Sequence, residues 1–358
     1  MMKQISNMLR IDGSKGEGGG QMVRTALALS TLTGRPFHMT HIRAGRPQPG
    51  LKAQHLKAIE ALQAICGAQV TTVKLGAKTF TFQPGQVQPG QYFFDIGTAG
   101  SISLLLQALL PPLLFAPGPT TLRLRGGTCG KWQPPVEYTR EVLLPYLSAF
   151  ADMELTIRRR GYYPKGGGDV SVRIQPKLSA WEKAHQLPSY SLTEHEPPNQ
   201  IAGIAFAADI LAGRQVAERM ADAARAELQI WNCPVDISTA YGPAYNTGAG
   251  IILRAVVNHS SAGIPLSIGA DTLGTRGKPA ETVGSEAAQQ LNRALHSGDP
   301  VDPHLADQLA PYLGLIPGSR MKVSHPTGHL LSNIAMTERF LPICFESKGT
   351  IWETNRTN

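Results

Sequence analysis

The chain has 358 residues, 42% of them hydrophobic and 17% charged, with 37 glycines and 27 prolines. That balance excludes a disordered or collagen-like chain and leaves room for two domains with a sizeable core and many tight connections. A net charge of +8 and a pI near 9.4 leave two readings open, an ordinary solvated basic surface or a phosphate-rich partner.

From the N-terminus, "MMKQISNMLRIDG" lacks the apolar core of a signal peptide, so the expected location is cytoplasmic. "RIDGSKGEGGGQMVRTALALSTLTGRPFHMTHIRAG" reads as strand, Gly-rich turn, helix, turn, strand. Its turn lacks a G-K-[ST] ending, and Gln21 stands where a G-x-G-x-x-G loop needs its last glycine, so neither nucleotide fingerprint applies. What remains is a glycine-dense helix start with Glu17 beside it and Arg24 about two turns on. Glu17 reads either as a carboxylate open to a hard cation or as an ordinary acid near a helix N-terminus.

"HIRAGRPQPGLKAQHLKAIEAL" places Arg43 and Arg46 before a Pro-Gly turn and Gln54-His55 on the following helix. Guanidinium forks suit phosphate oxygens, although two loop arginines are also ordinary solvated charge. "FFDIGTAGSISLLLQALLPPLLFAPGPTTLRLRGG" then repeats the strand–turn–helix–strand order. Its apolar run is interrupted by Gln107 and Pro111-Pro112 and is too short to span a bilayer. "RGYYPKGGGDV", residues 160–170, combines Arg, Tyr, Lys and three glycines, a mixture suited to a phosphodiester and stacked bases or, more plainly, a tight hairpin.

A polar connector, "LPSYSLTEHEPPNQ", opens a different region of strands, one helix and the loop "GADTLGTRGKPAETVG", with the proportions of a small inserted α/β domain. "SRMKVSHPTGHLLSNIAMTERFLPICFES" writes the repeated order a third time. Here His325 and His329 are four apart, but Pro326 and Gly328 break any shared helical face, and the Glu of H-E-x-x-H is missing. The pattern predicts a helix starting at or just before His329, with Leu330, Leu331, Ile334 and Ala335 as its buried stripe. His329 then meets the free N–H groups of a helix start, where anions collect. The cysteines Cys66, Cys129, Cys233 and Cys344 form no C-x-x-C pair and read as free thiols in a reducing compartment.

The "RGYYPKGGG" stretch matches the signature of RNA 3′-terminal phosphate cyclases: Arg or His, Gly, two variable residues, Pro, one variable residue and a Gly triplet. "GEGGGQMVRTALALSTLTGRPF", "IRAGRPQPGLKAQHL", "GTAGSISLLLQALLP", "LADQLAPY" and "HPTGHLLSNIA" resemble cyclase segments in cyclase order. The resemblance spans the main body, and the inserted region matches in position and size. It implies an α/β (α+β) fold: a large domain of three repeated βαβαββ-type modules, residues 1–187 and 283–358, with a small α/β domain inserted at 188–282.

The chemistry the resemblance implies uses ATP and a divalent metal, Mg²⁺ or Mn²⁺, to turn an RNA 3′-phosphate into a 2′,3′-cyclic phosphate. His329 falls at the position of the adenylylated nucleophile, and an RNA-3′-pp-5′-A intermediate follows before AMP leaves. Glu17 matches the metal-binding glutamate. Arg24, Arg43, Arg46, Gln54 and His55 match side chains around the ATP phosphates or the RNA end. Gln107 matches a glutamine near the nucleotide, and Asp307 a second carboxylate, a metal or ribose partner. Two departures stand out. His304 occupies a position where the family often has an aromatic residue on adenine, and "CGKWQPP" follows "GGT", leaving Trp132 and Pro134 as candidate walls for the base. His325 becomes a structural or supporting residue.

The partners implied are RNA 3′-phosphate ends and ATP, with no membrane. RNA guidance, homodimer contact and scaffolding are open roles for the inserted domain. Two rivals remain: a non-catalytic cyclase-like RNA-binding protein of ribosome assembly, and an enolpyruvyl transferase. The first lacks the histidine and parts of its phosphate clamp. The second leaves "HLLSN" and "RGYYPKGGGDV" unexplained.

Overall fold

The computed structural model describes residues 8–131, 133–259 and 265–357. The chain opens with strand β1 (Leu9–Asp12), helix α1 (Gly20–Thr33), β2 (Phe37–Thr40), α2 (Ala53–Cys66), β3 (Gln69–Val70) and β4 (Phe80–Gln83). These strands form one sheet in the order β1-β2-β4-β3, in which β1 runs parallel to β2 and the other neighbours are antiparallel. α1 stops at Gly34, whose left-handed φ of 71° is the usual helix-ending conformation for glycine.

The next run is β5 (Gly90–Asp95), α3 (Ile102–Leu113), β6 (Thr120–Gly126), a helical stretch, β7 (Ala151–Arg159) and β8 (Gly168–Pro176). The helical stretch consists of α4 (Val136–Tyr138), a π-helical turn over Thr139–Leu143, and α5 (Leu144–Tyr146). The sheet order is β5-β6-β8-β7, with the same sequence of parallel and antiparallel pairings. β9 (Ser191–Leu192) leaves for the third sheet, and β10 (Gln200–Ala208), α6 (Val216–Leu228), β11 (Val235–Gly242), β12 (Ala249–His259), β13 (Pro265–Leu273) and α7 (Ala280–His296) follow. α8 (Pro303–Leu313), β14 (Arg320–Lys322), α9 (Gly328–Phe340), β15 (Ile343–Lys348) and β16 (Ile351–Arg356) complete the chain. The third sheet, β9-β14-β16-β15, has the order and pairing senses of the first two.

In the large part the helices lie inside. α1 packs on α2, α3 and α9, and α8 packs on α9. α1 is buried along nearly its whole length, so Leu27 and Leu29, both at 0% exposure, each contribute roughly 1.5–3 kcal/mol by leaving water. One continuous core joins all three sheets. Among the described residues no helix is long and apolar enough to cross a membrane.

The smaller unit has its own sheet, β11-β10-β12-β13, and its own core. Its limits differ from 188–282. β9 pairs with β14 in the third sheet, so the unit starts near residue 200. At the other end α7 lays Val283, Ala287, Leu291 and Leu295 into this core, which extends the unit to about 296. The boundary was hidden because "AETVGSEAAQQLNRALH" is only weakly apolar, its buried stripe mixing Ala280, Gly284, Ala287 and Ala288 with Val283, Leu291 and Leu295.

α9 begins at Gly328 as the pattern predicts, but its buried stripe differs. Leu331 is 46% exposed and Ala335 is exposed, while Ser332, Asn333 and Thr337 are buried. Polar groups can be buried when they have hydrogen-bond partners, and these three do: Ser332 to the Gly328 carbonyl, Asn333 to α8, and Thr337 to the Asn333 carbonyl.

Candidate active site

The starts of α1, α2 and α9 converge. At α1 the N-cap is Gly19, whose missing side chain leaves the first N–H groups uncapped. A Cβ on Gly20 would sit 2.4 Å from His55 Nε2 and 3.4 Å from Arg24 Nη1, and a Cβ on Gly19 would sit 2.7 Å from Glu17 Oε2 and 3.0 Å from Arg46 Nη2. The glycines thus keep open a small space that two cations, one imidazole and one carboxylate surround.

Arg24 is buried, and its hydrogen bonds run to amide oxygens, with Nε donating to Gln107 Oε1 at 3.2 Å and Nη2 donating to Gln21 Oε1. Burial lowers its pKa to about 10, so it stays cationic at neutral pH. A buried positive charge held by neutral amides favours an anion beside it. Gln107 Nε2 continues the chain to Gln308 Oε1 at 3.2 Å, and Gln308 Nε2 donates to the His304 carbonyl at 3.0 Å. A second branch runs from Gln21 Nε2 to Asn333 Oδ1 at 3.2 Å and from Asn333 Nδ2 to the Asp307 carbonyl at 2.6 Å. This network ties α1, α3, α8 and α9 into one rigid support.

His55 is 1% exposed. Its Nδ1 accepts the Lys52 backbone N–H at 3.0 Å, which puts the ring proton on Nε2, and Nε2 is buried without a hydrogen-bond partner. Burial first, then Arg24, Arg43 and Lys52, lowers its pKa to about 3. Unfolded His55 takes a proton below about 6.5 and folded His55 does not, so stability falls as pH drops from 6.5 toward 3. From pH 6.5 to 5 the expected loss is about 2 kcal/mol. Urea midpoints at both pH values should show it in the parent protein and show a flatter acid limb in His55→Gln. Equal slopes would remove His55 as the cause.

Glu17 holds the centre. One carboxylate oxygen pairs with Arg46, and the other, Oε2, lies 2.8 Å from His329 Nδ1. Oε2 is buried and makes no hydrogen bond, so its close neighbour there is the His329 ring. The Glu17 N–H donates to Ser332 Oγ at 3.2 Å, which fixes the turn against α9. His329 is the second residue of α9, whose N-cap Thr327 accepts the Leu330 N–H at 3.0 Å. Partial burial, then Arg24, Arg46 and His304, pushes its pKa below the usual histidine value. Asp307 is buried, accepts the Thr327 hydroxyl, and has its pKa raised to about 6 by burial.

The remaining candidates stand at varying distances from this centre. Arg43, with an unusual φ of 55°, donates Nη1 to the Gln48 and Gly50 carbonyls at 2.6 and 3.1 Å, so part of its guanidinium holds its own loop. Gln54 is half-buried on α2 and His304 is exposed at the start of α8. His304 and His325 line a cleft of about 300 Å³ between α7 and the start of α8. Pro134 is half-buried, and Trp132 lies outside the described residues. Among the described residues no group of three or more His, Cys, Asp or Glu is arranged to hold a metal ion.

Gln21, Asn333, Thr327 and Gln308 hold the candidate residues by hydrogen bonds that sequence reasoning missed. The signals were present in "GGGQ" and "LLSN", where an amide follows a special turn or helix start and comes to lie on a buried face.

A sequence profile described as RNA 3′-terminal phosphate cyclase matches residues 15–347. An RNA 3′-terminal phosphate cyclase of Pyrococcus furiosus is 41% identical over 97% of this chain and 97% of its own length. One of Thermococcus kodakarensis is 42% identical over 96% of this chain and 95% of its own. Among solved structures, an EPSP synthase of Acinetobacter baumannii is similar at 14% identity and a TM-score of 0.33, covering 99% of this chain and 66% of the synthase, a likeness too slight to inform the fold. With a match across nearly the whole chain by profile and by relatives above 40% identity, the chain belongs to the RNA 3′-terminal phosphate cyclase family.

Proposed function

We propose that this enzyme is an ATP-consuming RNA 3′-terminal phosphate cyclase in which His329 carries AMP between ATP and RNA. The observation that carries this reading is Glu17 Oε2 at 2.8 Å from His329 Nδ1. A carboxylate there favours the tautomer protonated on Nδ1 and leaves the lone pair on Nε2. The depressed pKa of His329 keeps that lone pair available at neutral pH.

In the first step Nε2 bonds to the α-phosphorus of ATP, the bond to the β-phosphate bridging oxygen breaks, and pyrophosphate leaves. Arg24, Arg46 and the uncapped N–H groups of α1 receive the negative phosphates, and His55 Nε2–H offers one more donor. In the second step an oxygen of the RNA 3′-phosphate bonds to the same phosphorus and the N–P bond breaks, which restores His329. The RNA 2′-hydroxyl then loses its proton and bonds to the 3′-phosphorus, and AMP leaves. Covalent transfer divides one hard substitution into easier ones.

A divalent cation fits this site in a limited way. Glu17 Oε2 is a buried oxygen without a hydrogen-bond partner, and such ions commonly take few protein ligands beside substrate phosphates and water. Bound there, Mg²⁺ or Mn²⁺ would neutralise phosphate charge. The cleft beside His304 is the candidate place for the adenine, with Asp307 toward the ribose. The direct test is incubation of 3′-phosphorylated RNA with the enzyme and ATP, expecting phosphatase-resistant ends with AMP and pyrophosphate. Persistently phosphatase-sensitive ends would contradict it and favour the non-catalytic binding reading.

Glu17→Gln keeps the shape but loses the charge facing His329 and Arg46. Single-turnover transfer of AMP to the protein should slow roughly a hundredfold, in the range of positioned acid–base partners. A rate within twofold of the parent would show that Glu17 neither orients the ring nor serves a cation.

A further inference from the structure

We infer that the hairpin joining β7 to β8, together with the loop between β11 and β12, forms a stacking platform for the single-stranded RNA just upstream of the reacting 3′ end. This rests on the RNA reading above and locates its substrate's body. Tyr163 at the hairpin tip is 81% exposed, and Tyr245 in the facing loop is 57% exposed. Large exposed aromatic rings beside basic groups are the elements with which proteins hold unpaired bases and their phosphates. Arg159 lies over the Tyr245 ring at 4.3 Å, and Lys165 at the tip is exposed. Residues 159–167 and 242–248 contain no Asp or Glu, so these cations meet no acid within either segment.

The platform is built rather than loose. Gly166 and Gly167 have φ of 68° and 72°, and a Cβ on them would lie 2.4 Å from the Thr98 carbonyl oxygen and 2.3 Å from the Tyr245 ring. The Lys165 N–H donates to Asn246 Oδ1 at 3.2 Å. The hairpin therefore sits on the loop that leads into α3, with the second loop locked against it.

That placement connects it to the catalytic centre. Gln107, the partner of Arg24, lies six residues beyond the α3 N-cap Ser101, roughly 9 Å along the helix. The hairpin thus rests on the loop that feeds the helix carrying Gln107 to Arg24.

The test compares the parent with Tyr163→Ala and Lys165→Ala, both changed at exposed side chains. The substrates are a 3′-phosphorylated RNA oligomer of about ten nucleotides, a length typical of single-strand sites, and a 3′-phosphorylated dinucleotide. Tyr163→Ala should raise the KM and weaken the direct, ATP-free binding of the longer RNA roughly tenfold, as loss of one base–aromatic stack does. Tyr163→Phe should restore both. Lys165→Ala should lower the salt dependence of that binding by a slope of about 0.7. AMP transfer to the protein and the KM for the dinucleotide should not change. Unchanged binding of the longer RNA would overturn the inference and leave the rings to contact another protein. Equal losses on both substrates would also overturn it, by showing damage to the centre. If the parent forms no cyclic ends, the cyclase reading fails, and the ATP-free binding still judges the platform on its own.

Discussion

His329→Ala is expected to abolish transfer of AMP from ATP to the protein and to lower cyclisation at least about a thousandfold, as loss of a covalent nucleophile does. The fold should survive. Nearly half of the His329 side chain is exposed, and its departure leaves Glu17 paired with Arg46. Leu330 and Ile334 still anchor α9, so the stability change should stay within about 1 kcal/mol, as for most exposed positions. The pH profile adds a signed check. Burial, Arg24, Arg46 and His304 all disfavour protonation of His329, so AMP transfer should hold as pH falls through 6.5 and decline only below it. A transfer rate already halved near pH 7 would mean the ring is not desolvated as described.

Arg160→Ala carries the largest expected loss of stability, roughly 3–5 kcal/mol. Glu137 is fully buried, and its Oε1 accepts Arg160 Nε at 2.8 Å while Oε2 makes no hydrogen bond. The guanidinium also stacks on the Phe206 ring at 4.8 Å, joining β10 of the smaller unit to the end of β7. Alanine there would strand a carboxylate in the interior. Replacing both partners by apolar groups, Arg160→Met with Glu137→Leu, should recover most of the loss, because the burial cost of two charges disappears with them. Urea denaturation of the single and double variants measures this. A single-variant loss under about 1 kcal/mol would show that Glu137 takes up a proton or finds water at little cost.

Much of the architecture could be read from the sequence because it rests on local patterns. Gly-dense turns before amphipathic helices marked α1, α3 and α9, and Pro326 with Gly328 placed the start of α9 correctly. What escaped depended on partners far away in the chain. Ser332 and Asn333 stood outside the expected buried stripe of α9, yet they are buried with bonds to residues 308 to 315 positions away. α7 read as the start of the main body, and only the alanine-lined sheet beneath it shows where it belongs.

The site was legible as a set of residue types, but its wiring was not. No spacing rule reveals that Glu17 lies between Arg46 and His329, or that part of Arg43 supports its own loop. His55 was visible as a phosphate-side residue. Its partnerless Nε2, held by the Lys52 N–H on the opposite nitrogen, emerges only in three dimensions.

Peptide mapping after a brief incubation with ATP alone tests the central claim most directly. The peptide containing His329 should carry one AMP, labile to acid and to hydroxylamine as an N–P bond is, and His329→Ala should carry none. AMP found on another residue, or an unmodified protein that still cyclises RNA, would contradict the account.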